Sequence, residues 1–187
     1  MAIHTILLIR HGEASASWGD HADPGLSDNG KKQADELTNS LRAEDLSEFN
    51  FISSPKLRAI QTAQPLAEQY EKDLDIRNAF SEIPSHDIPN TEKQDWLRKI
   101  MSEEMSALPD QVKLWQQEMM ETIYSLEENS IIFCHFMVIN AIVASALRHN
   151  ELLYFYPNYT SCSRLLIKDS KIEEIILGDD KKTLINL

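Results

Sequence analysis

Three short apolar runs in this chain end in side chains that could bind or transfer an anionic group. Ile6 to Ile9 meets Arg10-His11-Gly12-Glu13, and Phe49 to Ile52 meets Ser53-Ser54, with Arg58 one helical turn further on. Ile131 to Cys134 meets His135. Guanidinium groups offer paired N–H bonds that match phosphate oxygens. Arg10, Arg58, His11 and His135 gathered at one edge would make an anion pocket. In open α/β sheets such a pocket lies beyond the carboxyl ends of the strands. The chemistry therefore demands that the three runs be neighbouring strands.

The rest of the chain reads as elements able to hold them there. Ala2 to Ile9 is a β-rich run followed by a loop containing Trp18, Asp23, Pro24 and Gly25. Ser27 stands where a helix cap belongs, ahead of Ala34, Leu37 and Leu41 at helical spacing. After the Phe49–Ile52 strand, Ser53-Ser54-Pro55 launches a helix carrying Leu57, Ile60, Ala63 and Ala67. Pro65 is expected to kink or restart that helix, because it has no N–H for the Gln61 carbonyl. Leu74 to Arg77 is a weak third strand, and Ser81 to Asn90, with Pro84 and Pro89, is loop. Thr91 with Gln94 forms a capping-box signature, with Leu97, Met101, Met105 and Leu108 as one stripe behind it. A second amphipathic helix from Asp110 carries Val112, Trp115, Met119, Ile123 and Leu126. An apolar helix follows His135, and strands at Leu165–Ile167 and Ile172–Leu177 close the chain. Alternating strands and helices imply an α/β fold with a mostly parallel sheet covered on both faces.

Composition bounds the partners. The 187 residues carry 30 acidic against 18 basic side chains, a formal net charge of -12. Without a basic tract, nucleic acid is an unfavourable partner. No apolar run nears the roughly 20 residues that span a bilayer, so a membrane is unfavourable too. Two cysteines, Cys134 and Cys162, form neither a disulfide framework nor a zinc spacing, and a cytoplasmic setting is expected. Ten acidic and four basic residues lie between Ser85 and Ser130, so half of the excess charge sits in that segment. A focused cationic pocket inside an acidic body still attracts a single small dianion.

The motifs taken together resemble the histidine phosphatase (phosphoglycerate mutase-like) superfamily. Arg10-His11-Gly12-Glu13 after a hydrophobic strand is similar to its signature, and Leu26-Ser27 with Gly30, Gln33 and Ala34 to its first helix. Ser53-Ser54-Pro55 with Arg58-Ala59 and Thr62-Ala63 resembles its second-arginine motif. The strand ending at His135 matches the second histidine, and Asn158 the Asn before a late strand. The resemblance implies a three-layer α/β/α sandwich of six strands over residues 1–187, with a helical lid inserted at about 85–130.

It also implies roles. His11 is the expected nucleophile, since a neutral imidazole attacks phosphorus well and leaves again from the phosphoimidazole. Arg10, Arg58 and His135 are expected to stabilise the transferring phosphoryl group. Glu82 matches the family position of the acid that protonates the leaving alkoxide, and Glu13 is the fallback. The scheme needs no metal and no cofactor. The expected activity is that of a phosphomonoester phosphatase working through a phosphohistidine on a small phosphorylated metabolite. Phosphoglycerate mutase is an alternative, which the segment after Glu82 disfavours: Glu82-Ile83-Pro84 lacks the Gly/Trp-containing stretch of mutases. A phospho-ligand or phosphoprotein binding module without hydrolysis is another.

Two further departures bear on the pocket. Ser17 stands where many members have Asn, and Phe136 follows the second histidine where Gly is common. Phe cannot readily take positive φ, so the turn after His135 must be ordinary or strained. Cys134, between Phe133 and His135, reads as a buried small hydrophobe. His4, His21, His86 and His149 have no motif around them and read as filler, although Trp18 and His21 lie in the loop beside the site. Trp96 and Met105 would favour a substrate with an apolar part if the lid turned them inward; their stripes otherwise read as core.

Overall fold

The computed structural model describes residues 3–16 and 23–182 of the chain. Strand β1 (Ile3–Arg10) alternates its apolar side chains between two cores, because successive strand residues point to opposite faces. Ile6 and Leu8 enter one cluster, Leu7 and Ile9 the other. The strands β2 (Asn50–Ser53) and β4 (Ser130–Cys134) divide in the same way, with Ile52 and Ile132 facing one side and Phe51, Ile131 and Phe133 the other. Such double-sided burial explains their near-continuous apolar sequences.

Helices α1 (Asp28–Ser40) and α2 (Leu57–Gln69) cover the face of Leu7 and Ile9. Helices α3 (Lys93–Met101), α4 (Asp110–Ser125) and α5 (Phe136–Leu147) bury their apolar residues in the cluster on the other face. With β3 (Asp75–Ile76), β5 (Cys162–Lys168) and β6 (Lys171–Ile176), the six-stranded sheet runs in the order β3-β2-β4-β1-β5-β6. The first four strands are parallel, while β5 and β6 are antiparallel additions beside β1. Three layers result, as the alternation of elements implies.

Register is what assembles the site. Arg10 pairs with Cys134 across β1 and β4, and Ser53 pairs with Phe133 across β2 and β4. His11 and His135 therefore leave the sheet together at its carboxyl edge, and Ser54 lies one residue below them, level with Arg10 and Cys134. Two backbone bonds extend the ladder by that one step, His11 N–H to Cys134 O at 3.0 Å and Ser54 N–H to Phe133 O at 2.9 Å.

Local departures from the sequence reading have identifiable causes. Helix α2 passes through Pro65 without restarting, held by the buried face of Thr62, Ala63, Leu66 and Ala67. Helix α3 is capped at Glu92 rather than Thr91, since a turn closed by Glu92 N–H on Pro89 O delivers the chain to it. It ends at Met101, so Met105 and Leu108 are not on its stripe. Met105 lies instead in a short 3-10 turn, drawn aside by its N–H bond to Asn150 O and the Glu104–Glu151 bridge. Trp96 and Met105 are both half-buried against the hydrophobic cluster that α4 and α5 share. Trp18, His21 and Ser17 fall outside the described residues.

Candidate active site

Arg10, His11, Arg58 and His135 come together at the carboxyl edge and are buried, with His135 wholly enclosed. The loop around His11 is tied to α1 and α2. Gly12 N–H donates to Thr62 Oγ1 at 3.0 Å, and Thr62 Oγ1 in turn donates to Arg58 O at 2.7 Å. Gly12 and Gly30 let α1 cross directly over this loop. A Cβ on Gly12 would meet Gly30 O at 2.8 Å, and one on Gly30 would run into the Glu13 carbonyl. Here glycine serves close backbone approach.

The His11 ring is held in one tautomer. Its Nδ1 lies 2.7 Å from the Gly12 carbonyl, which can only accept, so the ring proton sits on Nδ1. Nε2 keeps its lone pair and accepts the Arg58 Nε–H at 3.2 Å. Burial holds the His11 pKa well below its ordinary value, and the Arg58 and Arg10 charges push it the same way. His135 meets His11 edge to face with ring centroids 5.1 Å apart. It too is held neutral, by burial first and then by Arg58, His11, Lys56 and Arg10. The pocket thus has two neutral imidazoles between two cations.

Those cations are anchored from behind. Arg10 donates through Nη1 to Pro157 O at 2.8 Å, and its guanidinium stacks 4.2 Å from the Tyr159 ring centroid and 5.2 Å from that of Phe136. Burial brings its pKa down to about 10, opposed by Tyr159 and Glu82, so it stays charged at neutral pH. The loop carrying Tyr159 is pinned by the Thr160 N–H bond to Arg10 O at 3.0 Å, with Thr160 at φ 52°. A β-branched residue in that region stores strain of about 1–3 kcal/mol, which the surrounding bonds must hold. Arg58 is buried, and Glu82 and Asp23 oppose the resulting fall in its pKa.

Glu82 follows a 3-10 turn at Asn78–Phe80 and is half-buried. Burial raises its carboxyl pKa, while the N–H groups of Ile83 and Met137 and the charges of Arg58 and Arg10 pull the other way. It therefore stands within the field of both guanidinium groups, next to the start of α5. Helix α4 steadies its loop, because Trp115 Nε1–H donates to Ser81 O at 3.0 Å. Glu13 points elsewhere: its carboxylate accepts from Ser27 Oγ at 2.6 Å and Asn29 Nδ2 at 3.2 Å, at the start of α1.

Phe136 opens α5 with His135 as its cap in extended backbone, so the turn is an ordinary one. Its ring contributes to the Arg10 stack. Cys134 is buried, and burial drives its thiol pKa far up, which leaves it inert. His4 is buried at the opposite end of β1, while His86 is exposed and His149 bonds the Glu151 carbonyl. Asn158 lies in the loop before β5, its side chain accepting Tyr159 N–H at 2.9 Å. Tyr159 and Trp115 are not legible as site residues in the sequence, since each acts through a contact that no spacing announces, whereas Thr62 stands within the motif that carries Arg58. Among the described residues no group of three or more His, Cys, Asp or Glu could hold a metal ion, and no helix is long and apolar enough to cross a membrane.

The family model for the histidine phosphatase superfamily (branch 1) matches residues 6–180. This chain belongs to that superfamily. Solved structures share its fold at low identity. A phosphoserine phosphatase from Entamoeba histolytica is 20% identical with a TM-score of 0.70, covering 98% of this chain and 100% of its own. A mycobacterial glucosyl-3-phosphoglycerate phosphatase is 18% identical with a TM-score of 0.71, covering 95% and 100%. Bacillus stearothermophilus YhfR is 19% identical with a TM-score of 0.73, covering 96% and 98%. No curated protein matches the chain by sequence.

Proposed function

We propose that this histidine phosphatase superfamily member is a phosphomonoester hydrolase. It would act without a metal ion on a small phosphorylated metabolite, through a phosphohistidine at His11. The observation that carries the reading is the His11 ring itself. Its Nδ1 is bound to the Gly12 carbonyl, and its bare Nε2 is flanked by a guanidinium group.

Arg10, Arg58 and His135 receive the phosphoryl oxygens of the substrate dianion, and Arg58 exchanges its bond to Nε2 for one to phosphate. Nε2 attacks phosphorus as the bond to the leaving oxygen breaks, and Glu82 gives that oxygen its proton. Water then attacks the phosphohistidine, Glu82 takes a proton from it, and inorganic phosphate departs with the His11 ring restored. The fixed cations sit where charge is spread over the transferring group, and in phosphoryl transfer this is the largest contribution. Glu82 suits the acid role because burial raises its carboxyl pKa while both arginines keep it in the pocket field. That placement favours hydrolysis over a binding module. The phosphatase names of the Entamoeba and mycobacterial neighbours agree with it.

Segment 85–130 would serve as the covering element of the site, holding the Glu82 loop through Trp115. Two free thiols, Cys134 and Cys162, fit a reducing cytoplasm. His11→Ala is the test. It should abolish both phosphate release and acid-labile phosphate labelling of the protein; turnover surviving in that variant overturns the mechanism.

A further inference from the structure

Ser54 lies one residue past the end of β2 and is wholly buried, and its Oγ is 2.7 Å from His135 Nε2. The same Oγ lies 3.3 Å from the Lys56 N–H, which can only donate. Among the described residues these are the two hydrogen-bond neighbours of the hydroxyl. Its own proton therefore has Nε2 as acceptor, and Nε2 must be the bare nitrogen of the ring. The backbone leaves Ser54 little freedom, since its N–H bonds Phe133 O at 2.9 Å and its carbonyl accepts Ser53 Oγ at 2.9 Å.

The other ring nitrogen, His135 Nδ1, is buried without a hydrogen-bond partner. A buried N–H left unpaired forfeits its hydrogen bond to water with nothing in return, so such a group in a native site points to a missing partner. We propose that Ser54 is a positioning residue that holds neutral His135 in its Nδ1–H tautomer, reserving that N–H as a donor to a phosphoryl oxygen. The inference rests on the hydrolase reading for what Nδ1 meets, but the tautomer itself is a property of the free protein. It assigns work to a hydroxyl that touches no substrate. The choice of tautomer matters because a neutral imidazole presents either a donor or an acceptor to an oxyanion, and only the donor stabilises it. His135 remains neutral because burial and the surrounding cations oppose its charging.

The test is long-range proton–nitrogen correlation NMR on 15N-histidine protein in phosphate-free buffer, with the His135 signals assigned from His135→Gln. Wild type should show Nδ1 protonated and Nε2 bare. Ser54→Ala should show a mixture or the Nε2–H form, together with a kcat on an alkyl phosphate lower by roughly tenfold to a hundredfold. Ser54→Thr, which keeps the hydroxyl, should restore both. An Nε2–H form in wild type, or an unchanged tautomer in Ser54→Ala, overturns the inference even if the enzyme is active. A Ser54-dependent Nδ1–H form in protein that hydrolyses no phosphomonoester would instead defeat the hydrolase reading. Should Ser54→Ala fail to fold, the wild-type spectrum decides.

Discussion

Keeping two imidazoles neutral inside a cationic pocket has a cost that pH can expose. His11 and His135 are buried with pKa values held well below the ordinary 6.5. In the unfolded chain both take up protons below that value, while in the native state burial and the neighbouring cations hold protonation off to lower pH. Their contribution is fully present above about pH 6.5 and is lost as pH falls towards the folded values. From pH 7.5 to 5.5, one such group removes up to about 1.4 kcal/mol, and the pair up to roughly 2.7 kcal/mol. Glu82 acts with the opposite sign. Its raised pKa adds stability below its unfolded value that is lost as pH rises through the folded one. A difference between wild type and His11→Asn cancels that contribution along with those of the remaining groups. Asn can still donate to the Gly12 carbonyl but cannot titrate. Urea unfolding followed by tryptophan fluorescence at both pH values, without phosphate, should show the variant losing less stability than wild type, by up to about 1.4 kcal/mol. Phosphate must be absent because a ligand of the native state alone masks the slope. Equal losses in the two proteins would refute the claim that His11 is buried and neutral.

Other consequences follow from the same geometry. Glu82→Gln should lower kcat about a hundredfold or more on alkyl phosphates and far less on aryl phosphates. It should also remove the fall in rate at high pH that deprotonation of the raised Glu82 carboxyl causes in wild type. Thr62→Ala leaves the Gly12 N–H without its acceptor, which should cost about 1–3 kcal/mol in urea unfolding, and Thr62→Ser should recover most of it. Arg58→Lys keeps a charge but loses the planar fork and the Nε–H at His11, so kcat/KM for a small phosphomonoester should fall about a hundredfold. Trp115→Phe removes the bond to Ser81 O, and the resulting loss in kcat should follow the alkyl-over-aryl pattern of Glu82→Gln.

Much of this protein was determined along the chain. Apolar runs with polar ends at Arg10, Ser53 and His135 are local facts, and β1, β2 and β4 lie where they do because those runs bury both faces. The amphipathic α4 and the Ser27 cap are likewise local, since period and capping chemistry need no partner. Elements whose limits depend on distant bonds were not legible. Asn150 draws Met105 out of the α3 stripe, and packing carries α2 through Pro65. For the site, residue types named the chemistry, but its arrangement belongs to tertiary structure. Glu13 and Glu82 are both acidic and both near a motif. Only the fold turns one to Ser27 and Asn29 and the other towards the arginines. The Tyr159 stack and the Ser54 hydroxyl on His135 join residues 149 and 81 positions apart, as numbered from Arg10 and Ser54. Spacing along a chain carries periodicity; it carries no information about which two loops meet when parallel strands close side by side.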